Sequence, residues 1–488
     1  MEVALLAVPL AAALLCAACR ERKMLEILNL LGAGACFGLA LATAWRVFTG
    51  GPVTGPRGII YIDALSAFII LIIGLVGFAA AVYTVGYLRF EVAHAEVAEE
   101  RLRWYYFWFF IFIFTMLLVV AARNLGVMWV AIEATTLASA LLVGYYNKEY
   151  SLEAAWKYII ICTVGIVFAL FGTIVLYFAA VPVLGEGSRA LEWTNLLRVA
   201  REMDPKLLKL AFIFILVGYG TKAGLAPMHT WLPDAHSQAP SPVSALLSGV
   251  LLNCAVYGII RAHIIVSKGV GLPYSANLLL IFGLVSMAVS LPFIMLQHDF
   301  KRLLAYSSVE HIGIITAAVG LGSRLALYGA MLHLFNHAVT KSLLFFVAGN
   351  VTQKYRTKKM ARIKGVLKTM PVSGAVLLIG ALAITGLPPF SIFISEFTIL
   401  SAGFAQGRYL AAGIFLVLIT LIFAGIIYYV SKMAFGDPPG KVDRGETGLW
   451  AGAAVLVPVL LLVVLGLYIP PFFDRILVQV AAIVGGGI

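Results

Sequence analysis

An all-α polytopic membrane protein is what the amino-acid sequence predicts, with about fourteen transmembrane helices and two inverted five-helix repeats. Three observations lead there. Hydrophobic residues make up 62% of the 488 residues and charged residues only 12%, against roughly 25% charged in an average soluble protein. The mean hydropathy is +1.00. Apolar runs of about 20 residues, the length a bilayer core demands, follow one another along the whole chain.

The same composition excludes an ordinary soluble enzyme, a nucleic-acid-binding protein and a disordered chain. Lys and Arg number 35 against 23 Asp and Glu, a net charge of +12. In a membrane protein such an excess belongs to loops and sets orientation. Cys16, Cys19, Cys36, Cys162 and Cys254 all fall in apolar stretches. An odd number of buried cysteines argues against a disulfide framework, and no zinc or iron–sulfur spacing occurs. Cys16 and Cys19 read as packing residues.

The first run, 2–19, looks like a signal peptide but opens on Glu2 and is followed by Arg20, Arg22 and Lys23. That charge order suits an uncleaved helix with its N-terminus outside. Runs 27–48 and 62–87 complete an N-terminal group, residues 1–103. Trp104-Tyr105-Tyr106 opens the fourth run, 104–121, as an aromatic belt at a membrane interface. Runs 124–145, 154–180, 208–227 and 241–264 complete a first repeat over residues 104–268. Runs 273–297, 302–321, 327–349, 372–400 and 408–432 form a second, inverted repeat over 269–445. Run 447–469 and a tail fill 446–488.

Loops after odd-numbered runs hold a modest excess of Lys and Arg. One loop decides the topology: Lys354, Arg356, Lys358, Lys359, Arg362, Lys364 and Lys368 lie together after the eleventh run. It is expected in the cytoplasm, with both termini on the outer side of the cytoplasmic (inner) membrane. The basic loop 185–209, expected outside, runs against the rule.

Two runs are broken. The seventh reads Gly220-Thr221-Lys222-Ala223-Gly224-Leu225-Ala226-Pro227, and the twelfth Thr385-Gly386-Leu387-Pro388-Pro389-Phe390. Proline removes a backbone hydrogen bond, and in lipid the freed carbonyl must find protein or water. Broken helices five apart imply two units of five. Five being odd, the second unit is inverted, and such paired breaks mark transport sites.

Glu133, Lys222, Lys341 and Glu396 sit well inside runs. A charge at the bilayer centre costs at least about 2.5–3.5 kcal/mol. One could be a buried ion pair; four on different helices favour a polar pathway. His229, His236, His311, His333 and His337 thicken the line. His333, His337 and Lys341 are each four apart and share one helix face. Such a stripe can relay protons, because imidazole titrates near neutral pH and a lysine does so when burial depresses its pKa. Two histidines on one face could also hold haem or a metal, but no second spaced pair faces them, so neither cofactor nor metal is expected in this chain. No P-loop, G-x-S-x-G or H-E-x-x-H occurs.

From Lys222 to His236 the chain reads KAGLAPMHTWLPDAH, and from Ala239 to Gly249 APSPVSALLSG. These segments resemble the signature of the proton-translocating antiporter-like family, the large membrane subunits of respiratory complex I, Mrp-type sodium/proton antiporters and energy-converting hydrogenases. Asp63-Ala64-Leu65-Ser66, Met128 to Glu133, Lys301 to Ser308, His333 to Phe346 and Leu387 to Phe397 extend the resemblance over nearly the whole chain. It implies that Glu133 pairs with Lys222, that Lys341 is the central residue of the second half, that Glu396 terminates the path, and that His333 and His337 connect them. Asn253-Cys254 and Val309-Glu310-His311 resemble the hydrogenase 4 and formate hydrogenlyase branch, its component F group.

Asn253 departs from the family, many of whose members carry lysine or histidine there. The implied function is proton, or sodium, translocation by a non-catalytic subunit of an oxidoreductase complex. Nickel–iron and iron–sulfur centres, and the cytoplasmic hydrogenase subunits holding them, would be partners, as would further antiporter-like subunits and lipid. A Mrp-type secondary antiporter and a non-pumping membrane anchor are the alternatives.

Overall fold

The computed structural model describes residues 1–440 and 442–486. Apart from a two-stranded antiparallel ribbon, Val53–Thr54 with Tyr61–Ile62, it is built of helices. The main ones are α1 (Glu2–Ala18), α2 (Arg22–Gly50), α3 (Ala64–Ala93), α4 (Leu102–Ala121), α5 (Leu125–Val143), α6 (Glu149–Leu184), α7 (Pro205–Ala223) and α8 (Trp231–Gln238). They continue with α9 (Ser241–Val270), α10 (Leu272–Met295), α11 (Phe300–Leu321), α12 (Arg324–Tyr355), α13 (Pro371–Ile384), α14 (Ser391–Ala405), α15 (Tyr409–Ala434), α16 (Leu449–Leu467) and α17 (Pro471–Val484). Short helical turns fill the connections.

Local chemistry sets the boundaries. Asp63, Asn124, Asp204, Asp299 and Ser323 each cap a helix, their side-chain oxygens accepting backbone N–H bonds of the first turn. Gly224, at φ +78°, closes α7 in the left-handed conformation that a side chain disfavours. The seventh run is therefore broken at 224–230 and resumes as α8. The twelfth breaks at 385–390 between α13 and α14, and α14 runs on to Ala405, past the expected end.

Among the described residues, ten helices are long and apolar enough to cross a membrane, or eleven if α16 and α17 count as one bent span. The other expected spans are shorter or interrupted: α1, α13 and α14 have 17, 14 and 15 residues, and α7 carries Lys206, Lys209 and Lys222. The expected C-terminal tail is instead helical. Pro470-Pro471 ends one helix and starts α17, which turns 83° from α16.

Three helices form the interior. The apolar windows of α9, α11 and α12 are buried all round, whereas those of α2, α10 and α15 are one-third buried. Large apolar side chains such as Trp156, Phe171 and Phe178 on α6 point outward, as a lipid-facing surface requires. Glycine lets the outer helices approach closely. A Cβ at Gly218 on α7 would stand 2.4 Å from the backbone N of Ala169 on α6, and one at Gly283 on α10 would stand 2.5 Å from that of Ala317 on α11.

One ion pair fastens the N-terminal group to the interior. Arg261 on α9 donates to both oxygens of Asp63, at 2.7 and 2.5 Å, and to Ser66 Oγ at 3.1 Å. Its guanidinium lies 3.9 Å from the Trp193 ring centre and 4.8 Å from that of Tyr257. Asp63 to Asn would leave Arg261 buried without its counter-charge, at a cost of about 3–5 kcal/mol. The expected result is a lower thermal unfolding midpoint in detergent; an unchanged midpoint would show that the pair does not hold α3 to α9.

Candidate functional site

Lys222 is fully buried in the last turn of α7, two residues before Gly224. Its ammonium donates to Thr136 Oγ1 at 2.8 Å and to Tyr158 Oη at 2.5 Å, and it sits 4.6 Å from the Tyr158 ring centre. Thr136 passes the connection on. Its hydroxyl donates to Glu133 Oε2 at 3.4 Å, while Thr163 donates to Glu133 Oε1 at 2.9 Å. Glu133 and Lys222 are thus linked through a hydroxyl rather than by direct contact. Glu133 itself is only partly buried.

A second cluster lies among α11, α12 and α14. Lys341 on α12 is fully buried. It donates to the Leu304 carbonyl at 2.8 Å and to Ser307 Oγ, both on α11. One turn or more away on α12, His333 Nε2 meets His311 Nδ1 at 2.9 Å, and His333 Nδ1 meets Ser395 Oγ at 2.9 Å. His333 and His337 share a face as expected, and both face His311 on α11: His333 is hydrogen-bonded to it, whereas the His337 ring only packs beside it, with ring centres 5.3 Å apart. Glu396 is buried beside the break in the twelfth run, where Gly386 at φ +68° leaves room for its carboxylate: a Cβ there would stand 2.0 Å from Glu396 Oε2.

Between the clusters stands α9. Asn253 donates to the Gly249 carbonyl at 2.8 Å, and its Oδ1 has no protein partner. Ser248 and Ser308 link α9 to α11 at 2.7 Å. Among the described residues, both nitrogens of His236 and of His337 also lack protein partners; buried polar atoms of this kind are normally satisfied by ordered water. His236 stacks on Phe345 with ring centres 5.1 Å apart. His229 stands apart, its ring packed near Phe293 and Tyr306.

Sequence reasoning missed several members. Thr136 lies three residues after Glu133, on the same helical face, which was a usable signal. Tyr158 and Thr163 on α6 gave none. Glu310 was visible inside a run and is buried, with Oε2 unpartnered.

The basic loop is less free than its sequence implies. Phe300 N donates to Lys358 O and Met360 N to His298 O, each at 2.9 Å, tying the loop to the start of α11. Lys358 and the buried Lys301 donate to the carbonyls of Ser237 and Ala239 at 2.5 Å, capping the C-terminal end of α8. A cavity of about 470 Å³ opens here, lined among others by Glu91, Lys148, Ser241 and Arg356.

Hydroxyls, imidazoles and two ammonium groups thus line the buried helices of a membrane protein, many within hydrogen-bonding distance of one another. Residues 122–422 match the family described as NADH:quinone oxidoreductase/Mrp antiporter membrane subunits, and the chain belongs to that family. It is 41% identical over 420 residues to a hydrogenase-4 component F homolog of Methylacidiphilum infernorum, covering 85% of this chain and 87% of that one. It is 31% identical over 441 residues to NADH-quinone oxidoreductase subunit N of Desulforudis audaxviator, covering 87% and 85%. Its fold superposes with a TM-score of 0.88 on a chain of the archaeal membrane-bound sulfane sulfur reductase, 24% identical, covering 100% and 98%.

Thr136 to Val keeps the shape of the side chain and removes the hydroxyl between Lys222 and Glu133. Losing a hydrogen bond to a charged group costs about 1.5–3 kcal/mol. The thermal unfolding midpoint in detergent is expected to fall; an unchanged midpoint would show that the hydroxyl is not part of the connection.

Proposed function

We propose that this chain translocates protons across the membrane as a subunit of a redox-driven complex. The observation that carries this reading is the hydrogen-bonded chain Glu133–Thr136–Lys222 inside the protein. With Glu133 ionised, the ammonium of Lys222 has a counter-charge one hydroxyl away. When that connection opens, the ammonium stands unpaired in a low-dielectric interior and gives up its proton. The acceptor line is His236, His337, Lys341, His311, His333 and Glu396, with Glu310 at its side. Asn253, Ser248 and Ser308 bridge the halves through water. His229 lies off this line, at a peripheral position.

A fourteen-span topology with inverted repeats fits the packing. α4, α5, α6, α7 with α8, and α9 contact one another in the same order as α10, α11, α12, α13 with α14, and α15. Each series has a break with a left-handed glycine, Gly224 or Gly386. The loop 354–368 in the cytoplasm and both termini outside complete the arrangement, in the cytoplasmic membrane. Electrons run through partner subunits, for which nickel–iron and iron–sulfur centres are the expected carriers, as the hydrogenase-4 relative suggests.

Asn253 favours a second reading, a subunit that anchors its complex without pumping, because an amide neither binds nor releases a proton in this range. Glu133 to Gln and Lys222 to Met decide between them. In vesicles holding the intact complex, each is expected to lower proton pumping by tenfold or more while the redox reaction continues. Pumping at the wild-type rate in both would overturn the pathway.

A further inference from the structure

The pair of histidines in the second cluster has a directionality that its hydrogen bonds reveal. Ser395 donates its only hydroxyl proton to the Ile392 carbonyl at 2.8 Å. It therefore accepts from His333, whose Nδ1 carries the hydrogen. In a neutral ring that leaves a lone pair on His333 Nε2, which faces His311 Nδ1 at 2.9 Å. The Glu396 carboxylate completes a triangle: one donor atom from each of His311, His333 and Glu396 lies within 4.8 Å of the other two. The other charge bearing directly on Glu396 is the carboxylate of Glu310, itself near Lys341.

We propose that His311, His333 and Glu396 bind a divalent transition-metal ion of the zinc class, and that the bound ion blocks transport. Two imidazoles and one carboxylate are a recurrent zinc donor set with a fourth position left for water. Zinc–nitrogen distances of about 2.0–2.1 Å in a tetrahedron put the ligand atoms roughly 3.3–3.4 Å apart, so the two rings must part by roughly half an ångström and turn towards a common point, and the Glu396 oxygen, now within 4.8 Å, must close in. His333 is already held for the task by Ser395, the kind of outer partner that fixes a ligand ring. His311 must hold its hydrogen on Nε2 instead of Nδ1. Nε2 has no protein hydrogen-bond partner, and the Ile384 carbonyl, freed at the end of α13, approaches this ring without closing a hydrogen bond. The exchange is balanced: the His311 proton moves from Nδ1 to Nε2, the ion takes the position between the rings, and any proton on Glu396 leaves to solvent. Occupied in this way, neither ring can pass a proton to the other.

The inhibition rests on the transport reading above; the binding does not. Co²⁺ titrated into the purified complex serves as the spectroscopic probe, with Zn²⁺ uptake measured by elemental analysis. The site is expected to take up one ion per chain, with the visible bands of four- or five-coordinate cobalt. Glu396 to Gln weakens binding at least tenfold. Ser395 to Ala keeps all three donors and is expected to weaken it by about tenfold, the lower end for losing an outer partner. His229 to Asn, away from the cluster, leaves it unchanged. No stoichiometric uptake, or equal affinity with Gln at position 396, overturns the site. In vesicles, Zn²⁺ should stop wild-type transport and a chelator restore it; transport undisturbed at saturating Zn²⁺ overturns the block. If Co²⁺ binds while Lys222 to Met pumps normally, the transport reading fails and the metal site stands. If that variant is inactive and no metal binds, the metal site fails alone.

Discussion

An ammonium group with no exposed surface, in the middle of a membrane protein, is the constraint around which this molecule is organised. Lys222 and Lys341 both meet that description. Each is tolerable only where oxygen atoms replace water, and each has two: Thr136 and Tyr158 for the first, Leu304 O and Ser307 for the second. Supplying those oxygens requires neighbours on every side. That is why α11 and α12, which carry Lys341 and its oxygens, are wrapped completely, and why Lys222 on α7 turns inward to α5 and α6 while their other faces form part of a lipid-facing jacket. The breaks after α7 and α13 serve the same need, since they release backbone carbonyls and leave Lys222 and Glu396 beside irregular chain.

Much of this was readable from sequence, and the reasons are physical. Transmembrane helices announce themselves by length and hydropathy, so most of the expected runs fall on helices. Gly224 and Gly386 lie in the proline-marked breaks. Glu133, Lys222, Lys341 and Glu396 stood out because charge in an apolar run has no cheap explanation.

Partnerships were harder to read. A hydroxyl in a transmembrane helix is common and inexpensive, so Thr136, Tyr158 and Ser395 carried little signal. Spacing placed His333 and His337 on one face but could not reveal that His311, from another helix, is the group they meet. Arg261 lies near the end of an apolar run, where an arginine normally reaches for the interface; instead it turns inward to Asp63, 198 residues earlier.

The basic loop stands out in the sequence as a cluster of positive charges, the kind of segment from which a topology is predicted. Its geometry gives it a mechanical character as well. Lys358 is fastened to the carbonyl of Ser237, one residue beyond His236, and the chain around it is pinned to the first residues of α11. Lys301 and Lys358 between them hold the carbonyls at the end of α8, so the loop, the start of α11 and the turn from α8 into α9 are one hydrogen-bonded unit, and none of the three moves without breaking bonds of the other two.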